Sequence, residues 1–166
     1  MQHLPPLGPG HYYHIYNRGI NRQDLFFEPK KHRYFLDQYT RYVEPVAETF
    51  AYCLMKNHFH LLARIKTDDE QPLDPPKNPT QQFSNFFNSY TKAVNKAYGR
   101  TGSLFQKRFG RIDVTSEQYF GTLVRYIHRN PQHHGVVDDF RTYPYSSYQA
   151  LLTTQPTRLQ RPTVLA

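Results

Sequence analysis

The middle of the chain carries two strand-like segments that only two residues separate. Thr49 to Met55 is almost continuously apolar, whereas His58 to Ile65 begins with histidines at alternate positions. Lys56 and Asn57 between them predict a short turn, so the second strand runs back along the first. Apolar residues on both faces of a strand indicate burial on both sides, so we expect the first of these strands to be central in its sheet.

One helix-like and one strand-like segment flank this pair on each side. The helix-like segments repeat their apolar residues with a period of 3.6, and the strand-like ones are rich in aromatic and β-branched residues. The predicted elements are, in order, a strand over Tyr12–Arg18, a helix from Glu28-Pro29 to about Val43, the two middle strands, a loop over 67–80, a long helix that ends near Gly99, and a strand over Arg111–Val114. This β-α-β-β-α-β order predicts an α+β fold with a ferredoxin-like (RRM-like) antiparallel sheet and helices packed on it.

Additional C-terminal helices are predicted after the last strand. Thr115 and Gln118 have the spacing of a capping box, which marks the start of a helix. We expect this helix to end at Asn130-Pro131, because proline lacks a backbone N–H and clashes with the preceding turn. A short final helix is predicted over Ser146 to Leu152.

Length and composition narrow the class of protein. The 166 residues suit one domain over 1–166, with a core over about 11–152 and a loose tail over 153–166. The net charge of +8 favours a polyanionic partner, nucleic acid before membrane. Because no secretory signal or membrane-spanning run is visible, we expect a cytoplasmic protein with no membrane partner. The single cysteine, Cys53, excludes an intramolecular disulfide and a multi-cysteine zinc site.

Two of the histidines, His58 and His60, are two residues apart on a predicted strand, which places both side chains on one face of the sheet. Neighbouring imidazoles can bind one divalent cation. A polar strand face explains the same pattern, and the strand offers no third ligand. We expect His14 to be structural, and His133 and His134, which are adjacent in a predicted loop, to point apart.

Tyr126 and Asn130 are four residues apart on the predicted helix that follows Thr115, so they project from one side of it. Taken alone, a packing tyrosine and a helix-terminal asparagine explain both residues. Taken with the histidine pair, the Asn130 amide oxygen supplies a third metal ligand and Tyr126 supplies a hydroxyl nucleophile.

Residues 92–129 are strongly basic, with eight Lys and Arg residues against two acidic ones. Aromatic residues interleave with these charges, a mixture typical of segments that hold a nucleic-acid backbone and stack its bases. A solvated charged face is the alternative. The predicted DNA contacts are Lys107, Arg108, Arg111, Arg125, Arg129 and Phe105, together with Arg18 on the first strand.

Four separated motifs resemble those of the REP-associated tyrosine transposases, a branch of the single-tyrosine HUH transposases. The motifs are His58-Phe59-His60, Gly102 to Phe109, Tyr126-Ile127-His128-Arg129-Asn130-Pro131 and Tyr143 to Tyr148. The resemblance covers roughly residues 11–152. The chain departs from the family at Gln132-His133-His134-Gly135, where the family often has Val-Arg-Ala-Gly, which leaves one fewer arginine beside the site.

The resemblance implies a metal-dependent endonuclease and strand transferase that acts on single-stranded DNA and recognises a hairpin near the cut. It implies Mg²⁺ or Mn²⁺ as the cofactor, held by His58, His60 and Asn130. Tyr126 would be the nucleophile and would form a 5′-phosphotyrosine, whose ester can be rejoined without ATP. Related proteins occur as monomers and as homodimers, and both states stay open for this chain.

Two other functions are compatible with these residues. A non-catalytic nucleic-acid-binding module with an RRM-like sheet would use sheet aromatics such as Tyr12 and Tyr16 and would need no histidine pair. A metal-dependent phosphodiesterase would use water as its nucleophile and Tyr126 only for packing. A covalent protein–DNA adduct distinguishes both from the tyrosine mechanism.

Overall fold

The computed structural model describes residues 4–166. Its main elements are β1 (Tyr12–Arg18), α1 (Pro29–Tyr42), β2 (Ala47–Met55), β3 (His58–Ile65), α2 (Pro79–Tyr98), β4 (Gly110–Asp113), α3 (Glu117–His133), α4 (Tyr148–Leu152) and α5 (Arg161–Val164). The four strands form one sheet in the order β2-β3-β1-β4, and the neighbouring strands are antiparallel. This order and connectivity confirm the predicted α+β fold with a ferredoxin-like sheet and additional C-terminal helices.

The two faces of the sheet are covered to different extents. Helices α1 and α2 pack on one face and bury a largely aromatic core that includes Phe35, Phe59 and Tyr90. Helix α3 packs on the other face, mainly on β2 and β3, through Leu123 and Ile127. We call this second face the α3 face. The candidate site lies on this face, over β1, the beginning of β3 and the beginning of β4.

Strand β2 lies at an edge of the sheet, so the prediction of a central strand over Thr49–Met55 is wrong. Its outer side is nevertheless hydrogen-bonded: the Leu54 N–H donates to the Tyr145 carbonyl, and the Gln160 N–H donates to the Thr49 carbonyl. With both faces and the outer edge covered, β2 is as buried as a central strand. A continuous apolar sequence therefore indicates that a strand is buried, but not whether a neighbouring strand or another segment covers its edge.

The C-terminal segments also differ from the prediction. Helix α3 continues through Pro131 to His133 instead of ending at Asn130-Pro131. The His134 N–H donates to the Asn130 carbonyl and closes the last turn, so His133 and His134 lie at a helix end and not in a loop. The tail is not loose over its whole length, because α5 forms within it and residue 160 pairs with β2.

Across residues 4–166, no helix is both long enough and apolar enough to cross a membrane.

Candidate active site

Strand β3 and helix α3 bring two of the predicted metal ligands together. His58 pairs with Arg18 across β1 and β3, and His60 pairs with Tyr16, so both histidines project from the α3 face. Nε2 of His58 lies 3.1 Å from Oδ1 of Asn130, whose side chain is almost fully buried under α3. The ring centroids of His58 and His60 are 5.3 Å apart. Residues 72 positions apart in the chain thus meet at one point.

The hydrogen bonds of His58 are suited to a cation ligand. Its Nδ1 lies 2.8 Å from Oδ1 of Asn57, and its Nε2 faces the Asn130 oxygen. A neutral imidazole carries one proton and can donate to only one of these oxygens. When Nδ1–H donates to Asn57, the lone pair of Nε2 lies beside the Asn130 oxygen, and a shared cation satisfies both. Nδ2 of Asn130 is buried without a hydrogen-bond partner, so nothing in the described structure fixes this amide by its nitrogen.

Imidazole nitrogen and amide oxygen are donors that Mg²⁺ and Mn²⁺ accept in mixed sites, so the residues fit the implied cofactor. Histidine, cysteine, aspartate and glutamate alone do not complete such a site. Within residues 4–166, no group of three or more of these side chains is arranged to hold a metal ion. The proposed donor set therefore depends on the asparagine.

His14 lies in the site, although the sequence indicated only a structural role for it. Its Nε2 is 2.9 Å from Nδ1 of His60, and both side chains are buried. Burial lowers the pKa of His14 to about 4 and that of His60 to about 3, and it also lowers the pKa of His58. The three imidazoles are therefore neutral near pH 7, which is the form that binds a metal. No sequence pattern identifies this contact, because it depends on the pairing of β1 with β3.

Tyr126 borders the same group of side chains from helix α3. Its ring centroid lies 5.4 Å from that of His60 and 6.3 Å from that of His14, in edge-on contacts. Tyr126 is 46% exposed, whereas Asn130, one helical turn later, is 1% exposed. The tyrosine hydroxyl is therefore accessible to a bound molecule while its ring is held beside the histidines.

A positively charged cleft of about 580 Å³ opens over these residues. Its lining includes His58, His60 and Tyr126. Its charged lining residues are the arginines Arg18, Arg22 and Arg108, and no acidic side chain is among its described lining residues. A cleft lined by one sign of charge concentrates anionic ligands such as phosphate groups.

The other predicted DNA contacts fall into two groups. Lys107, Arg125 and Arg129 are exposed on the connector before β4 and on α3. Their exposure is compatible with contacts to a nucleic-acid backbone.

Phe105 and Arg111, which were also predicted to contact DNA, lie away from the cleft. Phe105 is buried in the core, with its ring centroid 5.2 Å from that of Phe87, so it has no free face to stack on a base. Arg111 pairs with Ile15 across β1 and β4 and therefore lies on the sheet face opposite the histidines. Its guanidinium packs 3.9 Å from the centroid of the Phe109 ring. A cluster of basic and aromatic residues in sequence does not determine which sheet face each residue occupies.

Tyr12 and Tyr16, the sheet aromatics that a non-catalytic binding module would use, differ in how accessible they are. The Tyr12 ring packs against Phe50 and Phe120, with centroids 5.4 and 6.0 Å away. It is thus held under α3. Tyr16 is half-buried and borders the cleft.

The motif over Tyr143–Tyr148 connects strand β2 to helix α3. The Tyr143 hydroxyl donates to the Leu54 carbonyl of β2, and Oγ of Ser147 lies 2.7 Å from Nε2 of His128 on α3. These bonds tie the edge of β2 to the helix that carries Tyr126 and Asn130. The motif therefore acts structurally, at a distance from the cleft.

Comparisons with known proteins point to one family. No model of a protein family matches the chain. A protein of Haemophilus influenzae, provisionally named a REP-associated tyrosine transposase, is 28% identical over 104 residues. The match spans 61% of this chain and 58% of the length of that relative.

A solved structure of a REP-associated tyrosine transposase bound to a REP hairpin has the same fold. It superposes with a TM-score of 0.73 at 16% identity and covers 94% of this chain and 88% of its own. The resemblance to REP-associated tyrosine transposases, which the four motifs indicated, is thus confirmed by a curated relative in sequence and by a solved structure in fold.

Proposed function

We propose that this chain, a relative of the REP-associated tyrosine transposases, is a metal-dependent endonuclease and strand transferase of hairpin-bearing single-stranded DNA. The observation that carries the proposal is that Tyr126, His58 and His60 line one arginine-bearing cleft, with Oδ1 of the buried Asn130 beside His58. A water-using phosphodiesterase needs no tyrosine at this place, and a binding module needs no histidine pair.

Tyr126 supplies the chemistry through its exposed hydroxyl. Its oxygen attacks the phosphorus of the scissile phosphodiester and loses its proton, and the bond to the 3′ oxygen breaks. The departing oxygen takes up a proton and becomes a 3′-hydroxyl, while the 5′ phosphate remains esterified to Tyr126. Attack by another 3′-hydroxyl reverses the step and joins two strands without ATP, because the ester keeps the phosphodiester linkage.

His58, His60 and Asn130 would hold Mg²⁺ or Mn²⁺ through Nε2, Nε2 and Oδ1. The free Nε2 of His60 is the donor because its Nδ1 is engaged by His14. When bound, such an ion polarises a phosphate oxygen as a Lewis acid. The protein residues orient the ligands: Asn57 fixes the His58 ring, and the packing of α3 buries Asn130 beside it.

The cationic side chains support DNA as the substrate. Arg18, Arg22 and Arg108 line the cleft, where the scissile strand would lie. Lys107 on the connector before β4 and Arg125 and Arg129 on α3 are exposed and are suited to contacts with the backbone of the folded hairpin. That the related solved structure is bound to a REP hairpin favours this form of DNA. A DNA substrate of this kind is consistent with the cytoplasm as the place of action.

A panel of hairpin oligonucleotides with single-stranded flanks tests the proposal. Incubation with Mn²⁺ should give a protein band whose shift survives denaturant, and EDTA should abolish it. Tyr126→Phe should bind the same oligonucleotide without forming the band. Cleavage retained by Tyr126→Phe would establish the phosphodiesterase instead. Binding without any adduct or cleavage would establish the non-catalytic module.

A further inference from the structure

One part of the cleft floor has no role in the proposed chemistry. Tyr16 of β1 pairs with Gly110 of β4 on the α3 face, and both residues line the cleft. The Tyr16 ring centroid lies 5.0 Å from that of His14 and 6.4 Å from that of His60. The Tyr16 ring therefore lies beside His60, one of the proposed metal ligands.

Gly110 determines how this ring lies. A Cβ atom built on Gly110 would collide with Cζ and with both Cε atoms of Tyr16. The ring thus occupies the space above Gly110 that any other residue would fill with its own side chain. Because Tyr16 is half-buried and lines the cleft, its ring covers the strand at Gly110 and is still partly accessible from the cleft.

We propose that Tyr16, laid over Gly110, is the stacking platform for the nucleobase next to the phosphodiester that Tyr126 attacks. This inference rests on the proposed function and extends it to the placement of the substrate. Aromatic side chains on open sheet faces and in basic grooves stack single-stranded bases without regard to sequence. Tyr126 on the helical wall and Tyr16 on the floor flank His60, so a phosphate near Tyr126 leaves its neighbouring base within reach of Tyr16.

A purely structural role predicts something different. An aromatic residue across from a strand glycine covers exposed backbone and stabilises the pair of strands. In that case Tyr16 contributes to the stability of β4 and leaves DNA affinity unchanged. Stability and affinity must therefore be measured separately.

The test uses the hairpin oligonucleotide that the wild-type protein binds most tightly, in EDTA, so that neither metal binding nor cleavage contributes. Tyr16→Leu should weaken binding by about tenfold, and Tyr16→Phe should bind nearly as well as the wild type. Gly110→Ala should also weaken binding, because the added methyl group displaces the ring. In the Tyr16→Leu background, Gly110→Ala should have no further effect on affinity. Circular dichroism and urea unfolding of each variant report the stability.

Photocrosslinking locates the base directly. With 5-iodo-deoxyuridine placed in turn at each position of the single-stranded flank, one position beside the cut should crosslink to Tyr16. Unchanged affinity of Tyr16→Leu, or a crosslink confined to other residues, would overturn the platform. If the platform fails while the adduct at Tyr126 forms, the proposed function stands. If the platform holds and no adduct forms, the catalytic role fails and the stacking role stands.

Discussion

Nε2 of His14 lies 2.9 Å from Nδ1 of His60, so one of these buried imidazoles donates a hydrogen bond to the other. The direction of that bond decides whether His60 can bind a metal. Only when Nδ1 of His60 carries the proton and donates to His14 does Nε2 of His60 present a lone pair to the cleft. We therefore expect His14 to fix His60 in the metal-binding tautomer.

Removal of this acceptor should weaken metal binding. His14→Phe should lower the affinity for Mn²⁺ by about 10- to 100-fold, a typical cost of losing a residue that orients a ligand. His14→Gln should retain most of the affinity, because its amide oxygen can accept the bond at the position of Nε2. Isothermal titration calorimetry measures both variants. Equal losses in the two variants, or no loss in either, would contradict this role of His14.

Asn130 should matter to the metal more than to the fold. In Asn130→Leu the proposed metal site would lose its oxygen ligand, while the metal-free protein loses only the contact of Oδ1 with His58 and a buried nitrogen that has no partner. We expect the stability without metal to change by about 1 kcal/mol or less. The rise in Tm on addition of Mn²⁺ should disappear, because ligand binding stabilises only a competent site. A variant that keeps the wild-type rise in Tm would remove Asn130 from the ligand set.

Lys107 and Arg108 should contribute to the salt dependence of DNA binding. Their simultaneous replacement by alanine should flatten the slope of log K against log salt by about 1 to 1.5, since each neutralised phosphate on a single strand contributes about −0.7. The matched control is Lys92→Ala with Lys96→Ala, two exposed residues on α2, which covers the opposite sheet face. An equal change in both double variants would show that general charge, and not contact at the cleft, controls binding.

The buried histidines should make the fold sensitive to acid. Burial lowers the pKa of His128 from 6.5 to about 4, and the pKa values of His14 and His60 are lowered in the same direction. Above about pH 6.5 these groups are neutral in both states. As the pH falls from 6.5 towards 4, the unfolded chain takes up protons that the folded chain does not, so stability is lost.

His128 alone should account for about 3 kcal/mol of that loss by pH 4. His128→Gln can still bond to Ser147 but cannot titrate, so its free energy of unfolding should depend less on pH than that of the wild type. Urea unfolding at pH 7 and pH 4.5 measures the difference. The same pH dependence in both proteins would mean that His128 does not resist protonation in the fold.

The sequence predicted the order of the elements and the faces on which the candidate residues lie, because these depend on local patterns. The period of two placed His58 and His60 on one face, and the spacing of four placed Tyr126 and Asn130 on one side of a helix. Each of these patterns is a property of a single strand or helix and does not depend on how that element packs against others.

The remaining features depend on contacts between distant segments. The hydrogen bond between His14 and His60 requires the register of β1 against β3, and the burial of Phe105 requires the aromatic residues of α2. Arg111 points away from the site because of the register of β4 against β1. A stretch of sequence determines which residues share a face, whereas the tertiary fold determines which face is open.

Identification of the modified residue tests the central claim most directly. The adduct formed with a hairpin oligonucleotide and Mn²⁺ is digested with trypsin and nuclease, and tandem mass spectrometry locates the nucleotide mass on the peptide that contains Tyr126. We predict a 5′-phosphodiester link to the Tyr126 oxygen and an equal yield of DNA fragments that end in a 3′-hydroxyl. A nucleotide on another residue, or cleavage that leaves Tyr126 unmodified throughout the reaction, would contradict the account.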